Sequence, residues 1–206
     1  MAGGLKEVRE RIKSVINTQQ ITKAMKMVSA AKLRKAQGAI VQMRPYAERL
    51  NRMLSNILSN VDGGATTSFG KTRDVKHALV VVMTSNRGLC GGFNTNICKE
   101  AVALINEKYG RQRRDGNLTV LFIGKKGYDY FRRRFRDINF VTDYIPVYET
   151  PAYEPVSAVA RRLMDEFSTG KYDAAEVVYG RFRNAATQIP TAEQWLPVAK
   201  LEVPAG

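Results

Sequence analysis

Two glycine-rich stretches of the 206-residue sequence are of a kind that can bind phosphate groups. The first begins at Gly64 and ends in Gly70-Lys71-Thr72, like the end of a P-loop. A P-loop has four residues between its two glycines and follows a strand. This stretch has five residues between Gly64 and Gly70 and follows a predicted helix. We therefore expect no P-loop here.

The second stretch, Arg87-Gly-Leu-Cys-Gly-Gly92, lies between a predicted strand and a predicted helix, where backbone N–H groups and the helix dipole can hold an anion. It lacks the G-x-G-x-x-G spacing, and Gly124 and Lys125 follow the second predicted strand where a ribose-binding acid is needed. We interpret it as a tight structural turn, with a nucleotide site and the docking of an acidic partner through Arg87 as alternatives. The possible docking residues are Arg87, Gly88, Cys90, Gly91 and Gly92.

Groups that could carry out catalysis are scarce. The single histidine, His77, begins a predicted strand, and Cys90 and Cys98 lack metal-ligand spacing. The sequence contains neither a G-x-S-x-G nucleophile elbow nor a cluster of carboxylates. Cys98 is expected to be buried in a helix and inert. We therefore predict no catalytic, metal-binding or cofactor-binding residues and no enzymatic activity of the chain by itself.

Composition limits the class of protein. The longest apolar run, Ala78 to Met83, is far shorter than the roughly 20 residues that span a bilayer, and the first nine residues lack the apolar core of a signal peptide. Two cysteines are too few for a disulfide framework. We expect a protein that neither spans a membrane nor is secreted.

Positive charge is concentrated at the start of the chain. The whole sequence has 33 basic and 19 acidic residues, a net charge of +14. Residues 1–60 carry 12 basic residues against 3 acidic ones, and the other 146 carry 21 against 16, so the first segment contributes +9 of the total. Such a segment attracts a polyanion, which can be nucleic acid, anionic lipid or acidic protein.

The first 60 residues are predicted to form one long helix. From Leu5 to Ser59 strong helix formers dominate, with Gly38 and Pro45 as the exceptions. Apolar residues recur at spacings of three and four, which is typical of a coiled-coil seam, and the helix is expected to bend before Pro45 without ending. The later predicted helices are short and are needed to cover strands. The seam partner must then be another chain, a second copy of this one, or a continuation past Gly206.

The rest of the chain is predicted to be a Rossmann-like α/β domain with a largely parallel sheet. Residues 61–76 are predicted to be a linker, and residues 77–206 are predicted to form the domain. Strands and helices alternate, and a final antiparallel pair joined at Asn184-Ala-Ala186 closes it. The predicted strands are 77–84, 118–123, 138–145, 175–182 and about 188–199, and the predicted helices are 94–109, 125–136 and about 155–168.

Three basic tracts of this domain are expected to be solvated surfaces, with nucleic-acid binding as the alternative. They are Arg111-Gln-Arg-Arg114, Lys125-Lys126 and Arg132-Arg-Arg134. The nearby Tyr128, Tyr130, Phe131 and Phe135 have helical spacing and are expected to lie in the core rather than to stack on bases.

The segment Asn17-Thr-Gln-Gln-Ile-Thr-Lys-Ala-Met-Lys-Met-Val-Ser-Ala-Ala-Lys-Leu-Arg-Lys35 closely resembles the first-helix signature of the gamma subunits of rotary ATP synthases. Arg44-Pro-Tyr-Ala-Glu48, Asn86-Arg-Gly-Leu-Cys-Gly-Gly-Phe-Asn94 and Gln188-Ile-Pro-Thr191 agree with that family in order and spacing, so the resemblance covers nearly the whole sequence. Family members have a second long helix at the C-terminus, antiparallel to the first. We expect that this sequence stops before that helix.

The resemblance implies a non-catalytic rotor shaft, the central stalk, which couples ion-driven rotation to conformational changes at catalytic sites on beta subunits. The implied partners are the alpha and beta subunits of the catalytic hexamer, the epsilon subunit and the c-ring, with no nucleic acid and no small-molecule substrate. The implied location is peripheral, on the cytoplasmic face of a bacterial plasma membrane or the matrix or stromal face of an organelle. The residues expected to contact the alpha/beta ring are Ile21, Lys23, Met25, Lys26, Val28, Lys32, Arg34 and Lys35. The alternative is a basic coiled-coil protein that binds nucleic acid.

Overall fold

A computed structural model of the protein describes residues 3–60, 69–70, 72–149, 152–184 and 186–198. These residues divide into two units, a long N-terminal helix and an α/β domain. The helix, α1, covers Gly3–Asn60 and continues through Gly38 and Pro45. At 1.5 Å per residue, its 58 residues span roughly 87 Å. The prediction of one long helix is confirmed.

The α/β domain contains a five-stranded sheet in the order β3-β2-β1-β4-β5. Strands β1 to β4 run parallel and β5 pairs antiparallel with β4 at one edge, so the prediction of a largely parallel, Rossmann-like sheet is confirmed. The strands are β1 (Ala78–Met83), β2 (Leu118–Ile123), β3 (Asn139–Val141), β4 (Ala174–Phe182) and β5 (Gln188–Leu196). The helices are α2 (Phe93–Lys108), α3 (Gly110–Arg114), α4 (Lys125–Phe131), a short 3-10 helix (Ile145–Tyr148) and α5 (Tyr153–Ser168).

Helices cover both faces of the sheet. Val80 and Val82 of β1 point to the face covered by α2 and α4, while Leu79 and Val81 point to the face covered by α5. Because side chains alternate along a strand and both faces of this one are buried, its sequence is a continuous apolar run. The same alternation separates the two halves of the core.

Gly124 is required where β1 and β2 end side by side. Its φ is +96°, and a Cβ built on it would lie 1.9 Å from the carbonyl oxygen of Thr84. The Thr84 hydroxyl in turn accepts a hydrogen bond of 2.7 Å from the backbone N–H of Gly127. This close approach holds the start of α4 against the end of β1.

Helix α4 ends at Phe131, five residues before the predicted end. The backbone N–H groups of Arg134 and Phe135 both donate to the Phe131 carbonyl, which closes a tight turn.

The predicted strand 138–145 is longer than the observed strand β3, which covers only Asn139–Val141. The backbone N–H of Ile145 bonds to the carbonyl of Thr142, and Pro146, which has no N–H to give to a strand ladder, lies in the 3-10 helix. The prediction for β5 also ran too far. That strand ends at Leu196 before Pro197, and residue 199 is outside the described residues.

The predicted hairpin turn joins β4 to β5. The Asn184 side-chain oxygen accepts hydrogen bonds from the backbone N–H groups of Ala186, at 3.0 Å, and Thr187, at 2.8 Å. This arrangement is an Asx turn, in which the side chain replaces a backbone acceptor. Residue 185 is outside the described residues.

Candidate partner-binding surfaces

Helix α1 carries its apolar side chains on the surface. Ile21, Met25 and Val28 expose 62%, 65% and 57% of their area. Fourteen further large apolar side chains between Leu5 and Leu54 are also exposed. Soluble proteins seldom expose extended apolar patches, and those that do use them to bind partners.

The same helix carries unbalanced positive charge. Between Arg11 and Ala47 the sequence has eight basic residues and neither Asp nor Glu. Among the described residues of the helix, the only ion pair joins Arg11 to Glu7, with 3.6 Å between nitrogen and oxygen. The middle of α1 is therefore suited to an acidic surface.

The eight residues predicted to contact a ring of other subunits divide between opposite sides of α1. Successive residues are about 100° apart around a helix, so each group falls within an arc of about 80°. The first group is Ile21, Met25, Val28, Lys32 and Lys35. The second is Lys23, Lys26 and Arg34. The five basic residues therefore do not share one face, and two of them, Lys32 and Lys35, lie on the apolar side.

The turn after β1 is held in shape by side chains at its two ends. The Asn94 side-chain oxygen accepts the backbone N–H of Ser85 at 2.9 Å, and its amide nitrogen donates to the Arg87 carbonyl at 3.2 Å. The Ser85 hydroxyl also donates to the Arg87 carbonyl, at 2.6 Å. Asn86 ties the turn to Glu149, beyond the 3-10 helix, by a hydrogen bond of 3.1 Å. These contacts preorganise the turn.

Leu89 lies in this turn and was missed by the sequence reasoning. It has a φ of +59°, which is uncommon for a residue other than glycine, and its side chain is fully exposed. Its neighbours Gly88 and Gly91 signalled a turn, but no pattern indicated that Leu89 itself would take the left-handed conformation. An exposed apolar side chain on a fixed backbone is suited to protein contact.

A phosphate site at the start of α4 is not available. Backbone N–H groups in its first turn already have partners in the β1 turn: Lys125 donates to the Asn86 side chain at 2.9 Å, and Lys126 to the Ser85 carbonyl at 3.1 Å. Gly127 donates to the Thr84 hydroxyl. The nucleotide site considered from the sequence lies at the Arg87–Gly92 turn before α2, and these hydrogen bonds at the start of α4 do not test it.

The two cysteines have different surroundings. Cys90 is exposed in the turn, and the Asn94 amide donates to its sulfur at 3.1 Å. Cys98 is buried in α2, and burial raises the pKa of its thiol to about 12. Since the thiolate is the reactive form, this burial disfavours reaction at Cys98, and the prediction that Cys98 is buried in a helix is confirmed.

The aromatic residues beside the basic tracts belong to the core. Phe131 is fully buried, and Tyr128, Tyr130 and Phe135 pack against the same cluster. The guanidinium of Arg134 lies 3.8 Å from the centre of the Tyr130 ring. These rings are thus unavailable as stacking platforms for nucleic-acid bases.

Within the described ranges, no group of three or more His, Cys, Asp or Glu side chains could hold a metal ion. Most of the P-loop-like stretch Gly64 to Thr72 lies outside the described residues. None of the helices in the described part of the chain combines the length and apolar character needed to cross a bilayer.

Comparison with known proteins identifies the family. A family model described as ATP synthase matches residues 4–205. The chain is 47% identical to the ATP synthase gamma chain of Flavobacterium psychrophilum over 96% of its own length and 66% of that protein's. It is 43% identical to the gamma chain of Christiangramia forsetii over 96% and 67% of the two lengths. The chain belongs to the ATP synthase gamma chain family.

Two solved structures share the fold of this gamma chain family member. A chain of the mitochondrial ATP synthase central stalk and c-ring of Tetrahymena thermophila matches with a TM-score of 0.59 and 24% identity, over 89% of this chain and 80% of that one. A chain of the Euglena gracilis ATP synthase rotor matches with a TM-score of 0.54 and 24% identity, over 95% and 64%. The chain spans about two thirds of the length of the curated gamma chains that it matches.

Proposed function

We propose that this chain is the rotor shaft, or central stalk, of an ATP synthase, and that it couples ion-driven rotation to conformational changes at catalytic sites on other subunits. The observation that carries the proposal is the surface of α1, which is apolar and exposed, and between Arg11 and Ala47 basic and free of carboxylates. A surface of this kind needs protein around it. Family membership says which kind of assembly would supply that protein.

The chain would itself catalyse nothing. Its influence on a catalytic subunit is a difference in contact free energy between two conformations of that subunit. Moving such an equilibrium from 1:99 to 99:1 takes about 5.5 kcal/mol. Burying one large apolar side chain is worth about 1.5–3 kcal/mol. Gaining or losing two or three contacts such as those of Ile21, Met25 and Val28 would be enough.

The two sides of α1 would have different partners. Lys23, Lys26 and Arg34 would face acidic surfaces of the alpha and beta subunits. Ile21, Met25 and Val28 would pack against a second helix or the inner wall of the ring. Lys32 lies within the arc of the apolar group and Lys35 lies at its edge. Their aliphatic stems can pack there while their charged ends meet the same acidic surroundings.

The α/β domain would take part in the same assembly through the turn after β1. Arg87, Gly88, Cys90, Gly91 and Gly92 are the proposed docking residues, and Leu89 would add an apolar contact at the tip. The remaining proposed partners are the epsilon subunit and the c-ring. In support, one structural relative is a chain from a structure of a central stalk and c-ring, and the other is a chain from a structure of a rotor. The protein would then be peripheral to the membrane that holds the ring.

Reconstitution tests this proposal. The chain, extended by the second long C-terminal helix of its family, is coexpressed with the alpha and beta subunits of the same organism, and the complex is purified at low ionic strength. We expect the three proteins to copurify and ATP hydrolysis to rise above that of alpha and beta alone, because the shaft makes the catalytic sites unequal. Failure to copurify would refute the proposal.

A DNA-binding control distinguishes the rotor-shaft proposal from the alternative of a nucleic-acid-binding protein. Binding to a DNA duplex is measured at physiological salt over a series of ionic strengths. We expect affinity in the micromolar range or weaker, since basic chains bind DNA without specificity at about that level. Tight binding with a steep salt slope, together with no copurification, would favour the nucleic-acid alternative.

A further inference from the structure

Two of the basic tracts of the α/β domain lie side by side. The guanidinium of Arg113 in α3 donates two hydrogen bonds to the carboxylate of Asp137, at 2.6 and 3.3 Å. It also lies 4.8 Å from the centre of the Phe135 ring. These contacts hold residues 111–115 against residues 129–137, and we call the two segments together the arginine surface.

The arginine surface carries most of the net charge of the α/β domain. Its two segments contain seven arginines, no lysine and three aspartates, which gives a net charge of +4. Residues 61–206 as a whole have 21 basic and 16 acidic residues, a net charge of +5. The rest of the domain is therefore close to neutral, and its attraction for a polyanion is concentrated at this one surface.

Four of the seven arginines have no carboxylate partner within the described part of the chain. Each of the three aspartates already pairs with one of the other arginines, at nitrogen–oxygen distances of 3.6, 3.1 and 2.6 Å. The four arginines without such a pair are all exposed, and they are Arg114, Arg133, Arg134 and Arg136. An anion that reaches the surface can bind them without breaking an ion pair.

The residue type indicates a partner that presents phosphate groups. The planar guanidinium of arginine can bind a phosphate through two parallel hydrogen bonds, which a lysine ammonium does not do. Recognition of single-stranded nucleic acid would also need exposed rings, but Phe131 is buried and the neighbouring rings pack against the core. A coiled-coil partner of α1 has an apolar seam to bury, so it does not suit this surface. Clusters of about four to eight basic residues beside a membrane bind anionic lipid headgroups.

The arginine surface and the proposed docking turn lie at opposite ends of the sheet. Arg114 comes shortly before β2 and Arg136 shortly before β3, so both lie at the amino ends of parallel strands. The turn at Arg87 follows the carboxyl end of β1, which is parallel to β2. A strand of six residues, such as β1, is about 20 Å long. A partner that binds the turn therefore leaves the arginine surface open.

We propose that the arginine surface binds the phosphate headgroups of anionic phospholipids at a membrane surface. The inference rests on the proposed function, which brings the chain to the surface of a membrane. The four unpaired arginines donate to the headgroup phosphates, and Arg113 holds the two segments together beneath them.

Vesicle flotation with the assembled complex tests this proposal. The chain, extended by the second long helix of its family, is copurified with the alpha and beta subunits, so that α1 is enclosed. The complex is floated with vesicles of equal parts phosphatidylglycerol and phosphatidylcholine, or of phosphatidylcholine alone. We expect binding to the anionic vesicles only. Copurification without a preference for anionic vesicles would overturn this inference and leave the proposed function intact, whereas failure to copurify would refute both.

Two matched pairs of substitutions locate the binding surface. Arg114→Gln with Arg136→Gln removes one unpaired charge from each segment and should weaken binding to anionic vesicles by about tenfold or more. Lys125→Gln with Lys126→Gln removes the same charge at the carboxyl end of β2. That end is about 20 Å away, beyond the Debye length of about 8 Å, so the control should change the affinity by less than about twofold. Equal losses would overturn the proposal. If the first variant does not copurify, Arg114→Gln with Arg133→Gln replaces it under the same criterion.

Duplex DNA is the competing polyanion and replaces the vesicles in a separate measurement at the same phosphate concentration. We expect DNA to bind the complex no more tightly than the anionic vesicles do. Lipid headgroups can move to each guanidinium, whereas the phosphates of DNA are fixed on a narrow rod. Tighter binding to DNA that the Arg114→Gln with Arg136→Gln variant loses would identify a nucleic-acid site and overturn the proposal.

Discussion

At the scale of single residues, contact between backbones constrains the α/β domain most tightly where β1 and β2 end. A Cβ at Gly124 would clash with the Thr84 carbonyl, and the φ of +96° disfavours any residue other than glycine. Gly116 also has a positive φ, +72°, but a Cβ there would meet no atom within 4 Å. Substitutions at Gly124 and Gly116 therefore distinguish the loss of stability caused by a steric clash from the loss caused by the left-handed backbone conformation alone.

Replacing Gly124 with alanine should lower the free energy of unfolding by about 4 kcal/mol or more, because the Thr84 carbonyl belongs to buried backbone and cannot move aside freely. Gly116→Ala should cost about 1–2 kcal/mol, the usual penalty of a left-handed residue. Urea denaturation followed by circular dichroism measures both. Equal losses would mean that the clash at Gly124 is relieved by local movement.

The candidate site shows where sequence reasoning works at this scale and where it stops. The turn and the burial of Cys98 could be predicted, because glycine content and helical spacing are local signals. The exposure and left-handed backbone of Leu89 could not, since they result from hydrogen bonds made by Ser85 and Asn94 around it. The division of the basic residues of α1 between two sides could have been found by counting about 100° per residue.

At the scale of elements, a buried carboxylate near the start of β4 joins that strand to the end of α2. Glu176 is 2% exposed and lies within the core face that α2 covers. Its side-chain oxygen accepts hydrogen bonds from the ammonium of Lys108 and, at 2.9 Å, from the hydroxyl of Tyr109. Burial, and then the charge of Glu176, raise the pKa of Tyr109, so its hydroxyl stays protonated and remains a donor.

Tyr109→Phe should lower the free energy of unfolding by about 1–3 kcal/mol, because Glu176 then loses a hydrogen-bond donor inside the core. Tyr179→Phe provides a matched control, since that hydroxyl contacts Glu193 at 3.2 Å on an exposed part of β4 and β5. The control should change stability by less than about 0.5 kcal/mol. Thermal unfolding measures the difference, and similar losses in both variants would mean that Glu176 gains solvent or another donor when Tyr109 is changed.

The order of elements was easier to predict than their ends. Strands β1 and β2 could be found because both faces are buried and their apolar runs are unbroken. The end of α4 depends on a turn closed by Phe131, and the end of β3 depends on Pro146 and on a hydrogen bond between Ile145 and Thr142. Helix α3 was not predicted at all. Its five residues are Gly110, Gln112 and three arginines, so they carry no apolar residue that could give a periodic signal.

At the scale of the whole molecule, charge and apolar surface are distributed unevenly along the chain. Residues 1–60 contribute +9 of the total net charge of +14, and they include all of the exposed apolar side chains of α1. In the α/β domain many charges are paired, as between Arg113 and Asp137 at 2.6 Å, where the Arg113 hydrogen bond lowers the pKa of the carboxyl. The long-range attraction of an acidic partner should therefore act mainly on α1.

Two charge reversals with the same spacing test which side of α1 meets that partner. Lys23 and Lys26 lie opposite the apolar group, whereas Lys32 and Lys35 lie on the same side as that group, and the members of each pair are three residues apart. Changing both members of a pair to Glu alters the net charge equally. If the side of α1 opposite the apolar group faces acidic subunits, Lys23→Glu with Lys26→Glu should slow association with the alpha and beta subunits by about tenfold at low salt. Lys32→Glu with Lys35→Glu should slow it less. The difference should shrink at about 0.5 M salt, where screening acts within a few ångströms. Stopped-flow mixing at several salt concentrations measures the rates, and a larger effect of the Lys32 and Lys35 reversal would show that the acidic surface lies on the apolar side of the helix.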